Sequence, residues 1–219
     1  MLEALLNGNL KSKDEGYLYE DVITSSTIGR LQYLSASSIW QILSHTYKAL
    51  PDFNIAKISQ IDFWPQWKNK GKTVIPDVFL EIDLGDPAKK YHLIIEAKLN
   101  IFAAQDEKQW ENQINGYNAS VNEGLYDEGE LIYLALGGKS VKRSKLYQDH
   151  TILHASWQDF YSACEIQMKN SSPEEQRILK DICRFFTWRG FIPLLPMQEI
   201  WRPSNPNFEI RNLTSEKTQ

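Results

Sequence analysis

The chain has 219 residues, enough for one large domain with a buried core. It is 42% hydrophobic and 24% charged, an ordinary soluble composition, and its formal net charge is −4. That balance argues against a broad basic face, so nucleic-acid binding would need a local basic patch, a metal ion or a partner chain.

Residues 1–16 predict a short helix plus a polar lead-in. Glu3 and the lack of a long apolar run predict no signal peptide. No stretch of roughly 18 apolar residues occurs, so no membrane span is expected. Residues 17–34, YLYEDVITSSTIGRLQYL, predict a helix with Tyr19, Ile23, Thr27, Leu31 and Leu34 along one face. Residues 35–50 predict a second helix, opened by serines suited to an N-cap and stopped by Pro51. Residues 53–64 predict a strand, 65–72 a loop, 73–84 a second strand and 91–99 a third. Residues 103–121 predict a helix whose core stripe is Trp110, Ile114, Tyr117 and Val121. The apolar run 130–136 predicts a buried strand, and 151–157 another.

Two helices follow, over 157–168 and 172–190. The second has a serine cap, a first-turn proline, early acids and a closing Gly190. Its aromatic group Phe185, Phe186, Trp188 and Phe191 predicts core at a helix end, with an oligomer contact as the sharper alternative. Residues 201–219 predict an irregular tail. Cys164 and Cys183 show no CxxC spacing, which fits a reducing cytoplasm. The expected architecture is α/β, one domain over 17–200 with a mixed sheet and a helical part over 155–192.

The hairpin IPDVFLEIDLGDPAKKYHLIIEAK, residues 75–98, carries the chemistry. Alternation places Val78, Leu80, Ile82 and Leu84 on one face, with Leu93, Ile95, Ala97 and Leu99 of the next strand. Asp77, Phe79, Glu81 and Asp83 share the other face with His92, Ile94, Glu96 and Lys98. A turn over 85–90 sets Asp77 opposite Lys98 and Phe79 opposite Glu96, leaving Asp77 and Glu96 as diagonal neighbours. Such neighbours lie roughly 7–8 Å apart, close enough for one divalent ion between their carboxylates. Pro76 removes a ladder donor and predicts an edge or bulge beside Asp77. Magnesium prefers hard oxygen ligands, which two carboxylates and the Ala97 carbonyl supply. Lys98 is then placed to orient water or stabilise a phosphorane-like transition state. On the residues alone, the same pattern also fits a solvated hairpin face with Lys98 in a cross-strand pair.

Pro76-Asp77 followed by Glu96-Ala97-Lys98 resembles the PD-(D/E)XK nuclease superfamily, over roughly residues 17–137. The resemblance implies a restriction-endonuclease-like three-layer core, a central mixed β-sheet flanked by helices. It implies metal ligation by Asp77, Glu96, Ala97 and an accessory Glu20, with Asp21 the weaker match for that acid. It implies supporting roles for Gln109 and Gln113, and a Mg2+ cofactor that Mn2+ can replace. The implied activity is DNA endonuclease of restriction or phage-defence type, with RNA still open as substrate. A homodimer or a partner protein is compatible with it. The alternative is a catalytically silent scaffold of the same fold, which the acidic net charge mildly favours.

Other motifs are weaker. Gly138-Lys139-Ser140 lacks the spacing of a phosphate loop, since Tyr133 stands where its first glycine belongs. Lys139, Lys142, Arg143 and Lys145 read either as a basic patch on a DNA side or as a solvated loop. His150 and His154 lack the glutamate of a zinc-protease pattern, and Asp62 on the first strand reads as a surface residue, with a further metal ligand as the alternative.

Overall fold

The structure, a computed structural model, describes residues 20–51, 53, 56–99, 105–139, 144–147 and 150–188. The predicted lead-in and tail lie outside those residues, as do Tyr19, Lys142, Arg143, Gly190 and Phe191. Helix α1 (Glu20–Ser26) and the short α2 (Ile28–Leu31) replace the single helix predicted over 17–34. Thr27 divides them. Its hydroxyl donates back to the Ile23 carbonyl at 2.5 Å, and its φ of −116° and ψ of −77° leave the usual helical pair. Helix α3 (Ala36–Thr46) starts at Ser35, whose side chain accepts from the Ser38 N–H, as a serine cap should.

The strands are β1 (Ala56–Phe63), β2 (Trp67–Asn69), β3 (Lys72–Val74), β4 (Val78–Leu84), β5 (Lys89–Lys98), β6 (Glu130–Gly137), β7 (Ser144–Tyr147) and β8 (His150–Ala155). Six of them form one sheet in the order β1-β4-β5-β6-β8-β7. Pairs β5–β6 and β6–β8 are parallel and the other three antiparallel, so the sheet is mixed as expected. Helix α4 (Glu107–Asn122) makes the crossover between parallel β5 and β6. Helices α5 (Trp157–Met168) and α6 (Pro173–Trp188) complete the described chain.

The sheet is covered on both faces. Val78, Leu80, Ile82 and Leu84 of β4 and Leu93, Ile95 and Ala97 of β5 pack with α1, α2, α3, α5 and α6. The opposite face buries Phe79, Ile94 and Tyr133 with Trp110, Ile114 and Tyr117 of α4, the stripe read from the sequence. Leu131 to Leu136 are buried without a break, because both faces of β6 are covered. Phe186 packs in the first core against Trp157, Phe160 and Tyr161, and half-buried Phe185 packs beside it, which matches the core reading for those two members of the aromatic group.

Several local expectations change. The strand predicted over 73–84 is two strands, and the loop predicted over 65–72 is half of a separate β2–β3 hairpin. Its turn places both Lys70 (φ 49°) and Gly71 (φ 80°) in the left-handed region, the geometry that matches hairpin twist. Gly116 lets this hairpin seat on α4: a Cβ there would stand 2.5 Å from Val74 Cγ2. Residues 144–147 form strand β7 where no strand was predicted.

The β4–β5 register also moves. Its turn is shorter than predicted, over 85–88, so Phe79 lies opposite Ile94 rather than Glu96. The shift is two residues, and an even shift keeps every side chain on its predicted face. The predicted bulge at Pro76 is absent from the β4–β5 ladder, since Pro76 precedes β4; the irregularity lies instead at Ser59 of β1.

A polar network sits under the α4 face. His92 is wholly buried; its Nδ1 is 2.6 Å from Tyr117 Oη, and its Nε2 is 3.2 Å from Glu81 Oε2. Lys90 bridges Glu81 (2.9 Å) to Asp127 (2.8 Å), and Tyr126 faces the imidazole edge-on. Burial lowers the His92 pKa below the ordinary 6.5, against the pull of Glu81. The unfolded chain therefore takes up the proton first as pH falls. Stability contributed by neutral His92 is complete above about 6.5 and declines below it. Urea midpoints measured from pH 8 to 5 should fall on the acid side, and this slope should flatten in His92→Gln whatever that variant's stability at pH 8. An equal slope in both proteins excludes His92 as the group responsible.

Candidate active site

Strand β5 ends at Lys98, beside the carboxyl end of parallel β6 at Gly137. In open α/β sheets this end collects ligands, because crossovers leave a crevice above the strand termini. Both helical layers reach it. Glu20 arrives from the start of α1, and Gln109 and Gln113 from the sheet-facing side of α4.

Glu96 is the buried centre, 3% exposed. Its Oε1 accepts from Lys98 Nζ at 2.7 Å and from Gln109 Nε2 at 2.6 Å. Its Oε2 accepts from Gln113 Nε2 at 2.9 Å. The other end of the Gln113 amide accepts from Tyr133 Oη at 2.5 Å, so the glutamine is oriented by a group that can only donate to it. Burial, then the Glu96 and Asp77 charges, push the Tyr133 pKa well above its ordinary value and keep that donor protonated.

Asp77 lies just before β4. Its Oδ2 accepts from the Ala97 N–H at 2.7 Å, and its own carbonyl accepts from the Trp64 N–H at 3.0 Å. Burial first, and the neighbouring Glu96 charge second, raise the Asp77 pKa well above the usual carboxylate range. Glu20 Oε1 accepts from the Leu99 N–H at 3.0 Å, and its Oε2 is 3.7 Å from Lys98 Nζ. Lys98 thus lies between Glu96 and Glu20, with the Asp77 charge near enough to act on it. Burial opposes its charge, but Glu96, Glu20 and Asp77 outweigh this and hold its pKa above the ordinary value. Exposure rises from the Glu96 side chain (4%) through Lys98 (17%) to Glu20 (38%), so the cluster opens to solvent on the Glu20 side.

All six sequence-predicted side chains therefore belong to one network. Ala97 joins it through its amide, whereas the sequence pointed to its carbonyl. Asp21 carries a carboxyl raised by burial and by Glu20, countered by the Trp64 indole. Asp62 accepts from Gln60 and faces Tyr126, outside the network.

Four contributors escape a reading of the sequence. The Lys98 carbonyl accepts from Trp157 Nε1 at 3.0 Å and from the Gly138 N–H at 3.2 Å. Gly137 has φ 73°, and a Cβ there would fall 2.2 Å from the Lys98 oxygen. His154 Nε2 is 2.9 Å from the Gly137 carbonyl. The paired glycines after an apolar strand are the sequence signal for this turn, but phosphate-loop spacing is the wrong test for them. Of the basic group, Lys139 is exposed just beyond this turn.

Among the described residues no three or more His, Cys, Asp and Glu side chains are grouped to hold a metal ion. Magnesium needs fewer: it commonly takes one or two carboxylates and keeps several waters. The hard oxygens of Asp77 and Glu96 fit that demand, and three carboxylates around one lysine's charge leave negative charge for a cation to offset.

No family model and no solved structure matches the chain. A protein of Pasteurella multocida (strain Pm70), described only as uncharacterized, is 29% identical over 189 residues, which span 78% of this chain and 69% of its own. Among the described residues no helix is long and apolar enough to cross a membrane.

Two stability outcomes follow from this geometry. Asp77→Asn keeps an acceptor for the Ala97 N–H and removes a buried charge, so thermal denaturation without metal should shift upward by about 2–4 °C, the equivalent of ~1 kcal/mol. A decrease would show that Asp77 is not strained by its neighbours. Gly137→Ala must displace the Lys98 carbonyl or Trp157, and should destabilise by about 2–4 kcal/mol in urea titration.

Proposed function

We propose that the protein is a magnesium-dependent nuclease of the PD-(D/E)XK type, a cytoplasmic DNA endonuclease of restriction or phage-defence kind. The observation that carries this reading is Lys98 Nζ placed 2.7 Å from Glu96 Oε1 and 3.7 Å from Glu20 Oε2, with Asp77 bonded to the residue between Glu96 and Lys98. An ordinary solvated hairpin face has no reason to bury Glu96 or to surround it with two glutamines, one of them oriented by a tyrosine.

Asp77 and Glu96 would hold the ion, with Glu20 and the Ala97 carbonyl as accessory oxygens. When bound, magnesium supplies Lewis-acid charge that neutralises the phosphate and acidifies water. The remaining chemistry belongs to the chain. Lys98, kept charged, donates rather than accepts: it orients the attacking water and hydrogen-bonds the phosphate oxygens as negative charge builds on them. Gln109 and Gln113 hold the Glu96 carboxylate in one orientation, so reorganisation at the reacting phosphate stays small. Glu20 sits at the solvent side, where a substrate backbone enters. Its charge also keeps Lys98 protonated.

Supercoiled plasmid incubated with Mg2+ or Mn2+ tests this reading. The natural protein should nick or linearise it, and EDTA should stop the reaction. Lys98→Ala and Asp77→Ala should each lose at least about 100-fold in rate. Gln113→Ala should lose about 10-fold, chiefly through weaker metal dependence. Equal cleavage by all proteins overturns the assignment of the reaction to these residues, and none at any metal concentration overturns the enzyme and supports a catalytically silent scaffold.

A further inference from the structure

Strands β1 and β4 are antiparallel neighbours, with Phe63 opposite Val78. A tight turn could join them. Instead the connection runs through residues 64–77 and carries the β2–β3 hairpin. Residues 65–76 hold Lys68, Lys70 and Lys72 and no acidic residue, in a chain whose net charge is −4. All three lysines are exposed. Lys68 projects from the side of the hairpin, with Nζ 2.7 Å from Thr73 Oγ1; Lys70 forms the tip. Lys72 stands opposite Asn69.

This basic excursion is rigidly tied to the candidate active site. At its base the Trp64 N–H donates to the Asp77 carbonyl at 3.0 Å, which closes the loop on the residue that carries the Asp77 carboxylate. Trp64 adopts φ 51°, a left-handed conformation that a bulky side chain takes only when its surroundings impose it. Along its length, Trp67 is buried against Phe79, Tyr117 and Tyr126, and its indole donates to Tyr126 Oη at 3.0 Å. Asn69 Nδ2 donates to Asn112 Oδ1 of α4 at 3.0 Å. The glycine at position 116 allows the close approach. A hairpin needing only solubility could project freely. This one is anchored on the helix that also supplies Gln109 and Gln113.

We propose that the β2–β3 hairpin is the surface that grips the backbone of duplex DNA, with Lys68, Lys70 and Lys72 paired to phosphates flanking the bond presented to Asp77. This deepens the nuclease reading and rests on it for the position of the scissile bond. The charge complementarity itself is independent of catalysis. Two-stranded ribbons fit DNA grooves, and lysine–phosphate pairs supply affinity through counterion release without reading sequence.

The test separates binding from cleavage. Fluorescence anisotropy with a short labelled DNA duplex, in EDTA, measures affinity across a salt series for the natural protein, for Lys68→Gln/Lys70→Gln/Lys72→Gln, and for the corresponding triple arginine variant. Removing one lysine–phosphate pair lowers the log–log salt slope by about 0.9 on duplex DNA, so the glutamine variant should drop by about 2–3 in slope and roughly 10-fold or more in affinity. The arginine variant should bind as the natural protein does. Thermal denaturation checks that all three proteins fold. Unchanged slope and affinity in the glutamine variant overturn the hairpin assignment, whatever plasmid cleavage shows. A hairpin-dependent slope without cleavage by the natural protein overturns the nuclease reading and leaves the surface in place.

Discussion

The structure turns on one buried carboxylate. Glu96 is almost fully removed from water, and a charge in that position must be paired and hydrogen-bonded or it destabilises the fold. Three donors meet the requirement, and they come from different places: Lys98 from the same strand, Gln109 and Gln113 from the crossover helix. Because Tyr133 orients Gln113, the requirement extends to the neighbouring parallel strand. The arrangement of β5, α4 and β6 is therefore constrained by polar chemistry as well as by apolar burial.

The surplus of negative charge has a physical direction. Glu96 and Glu20 both approach a single lysine, and burial first, then the Glu96 charge, raises the Asp77 carboxyl beside them. The backbone around Lys98 shows a preference for position over ease. Its carbonyl is held by an indole and an amide, beside a glycine whose left-handed φ admits no side chain.

Much of the fold is legible because alternation and helical period are local. The two faces of β4 and β5, the α4 stripe and the unbroken apolar β6 follow from sequence spacing alone. The β4–β5 register does not, since the turn length decides it and Lys89 and Lys90 belong to the strand. Face assignment survives the error because the shift is even. The β2–β3 hairpin looks like a loop in sequence: its strands are three residues each, too short to show a period, and its stability comes from Trp67 packed on α4. The division of the first helix falls at Thr27, whose backbone angles leave the helical pair, and no pattern of apolar residues signals it.

The sequence by itself determined which side chains could share a site. Alternation put Asp77, Glu96 and Lys98 on one face, and a spacing of four put Gln109 and Gln113 on one side of a helix. What joins them was decided only in three dimensions. A glutamine on a helix surface and a glutamine bonded to a buried carboxylate have the same neighbours in the chain. The crossover from β5 to β6 brings α4 down onto Glu96, and the packing of α1 brings Glu20 to Lys98. Trp157 and Gly137 reach Lys98 for the same reason, from residues far along the chain, because parallel strands align their carboxyl ends at one edge of the sheet.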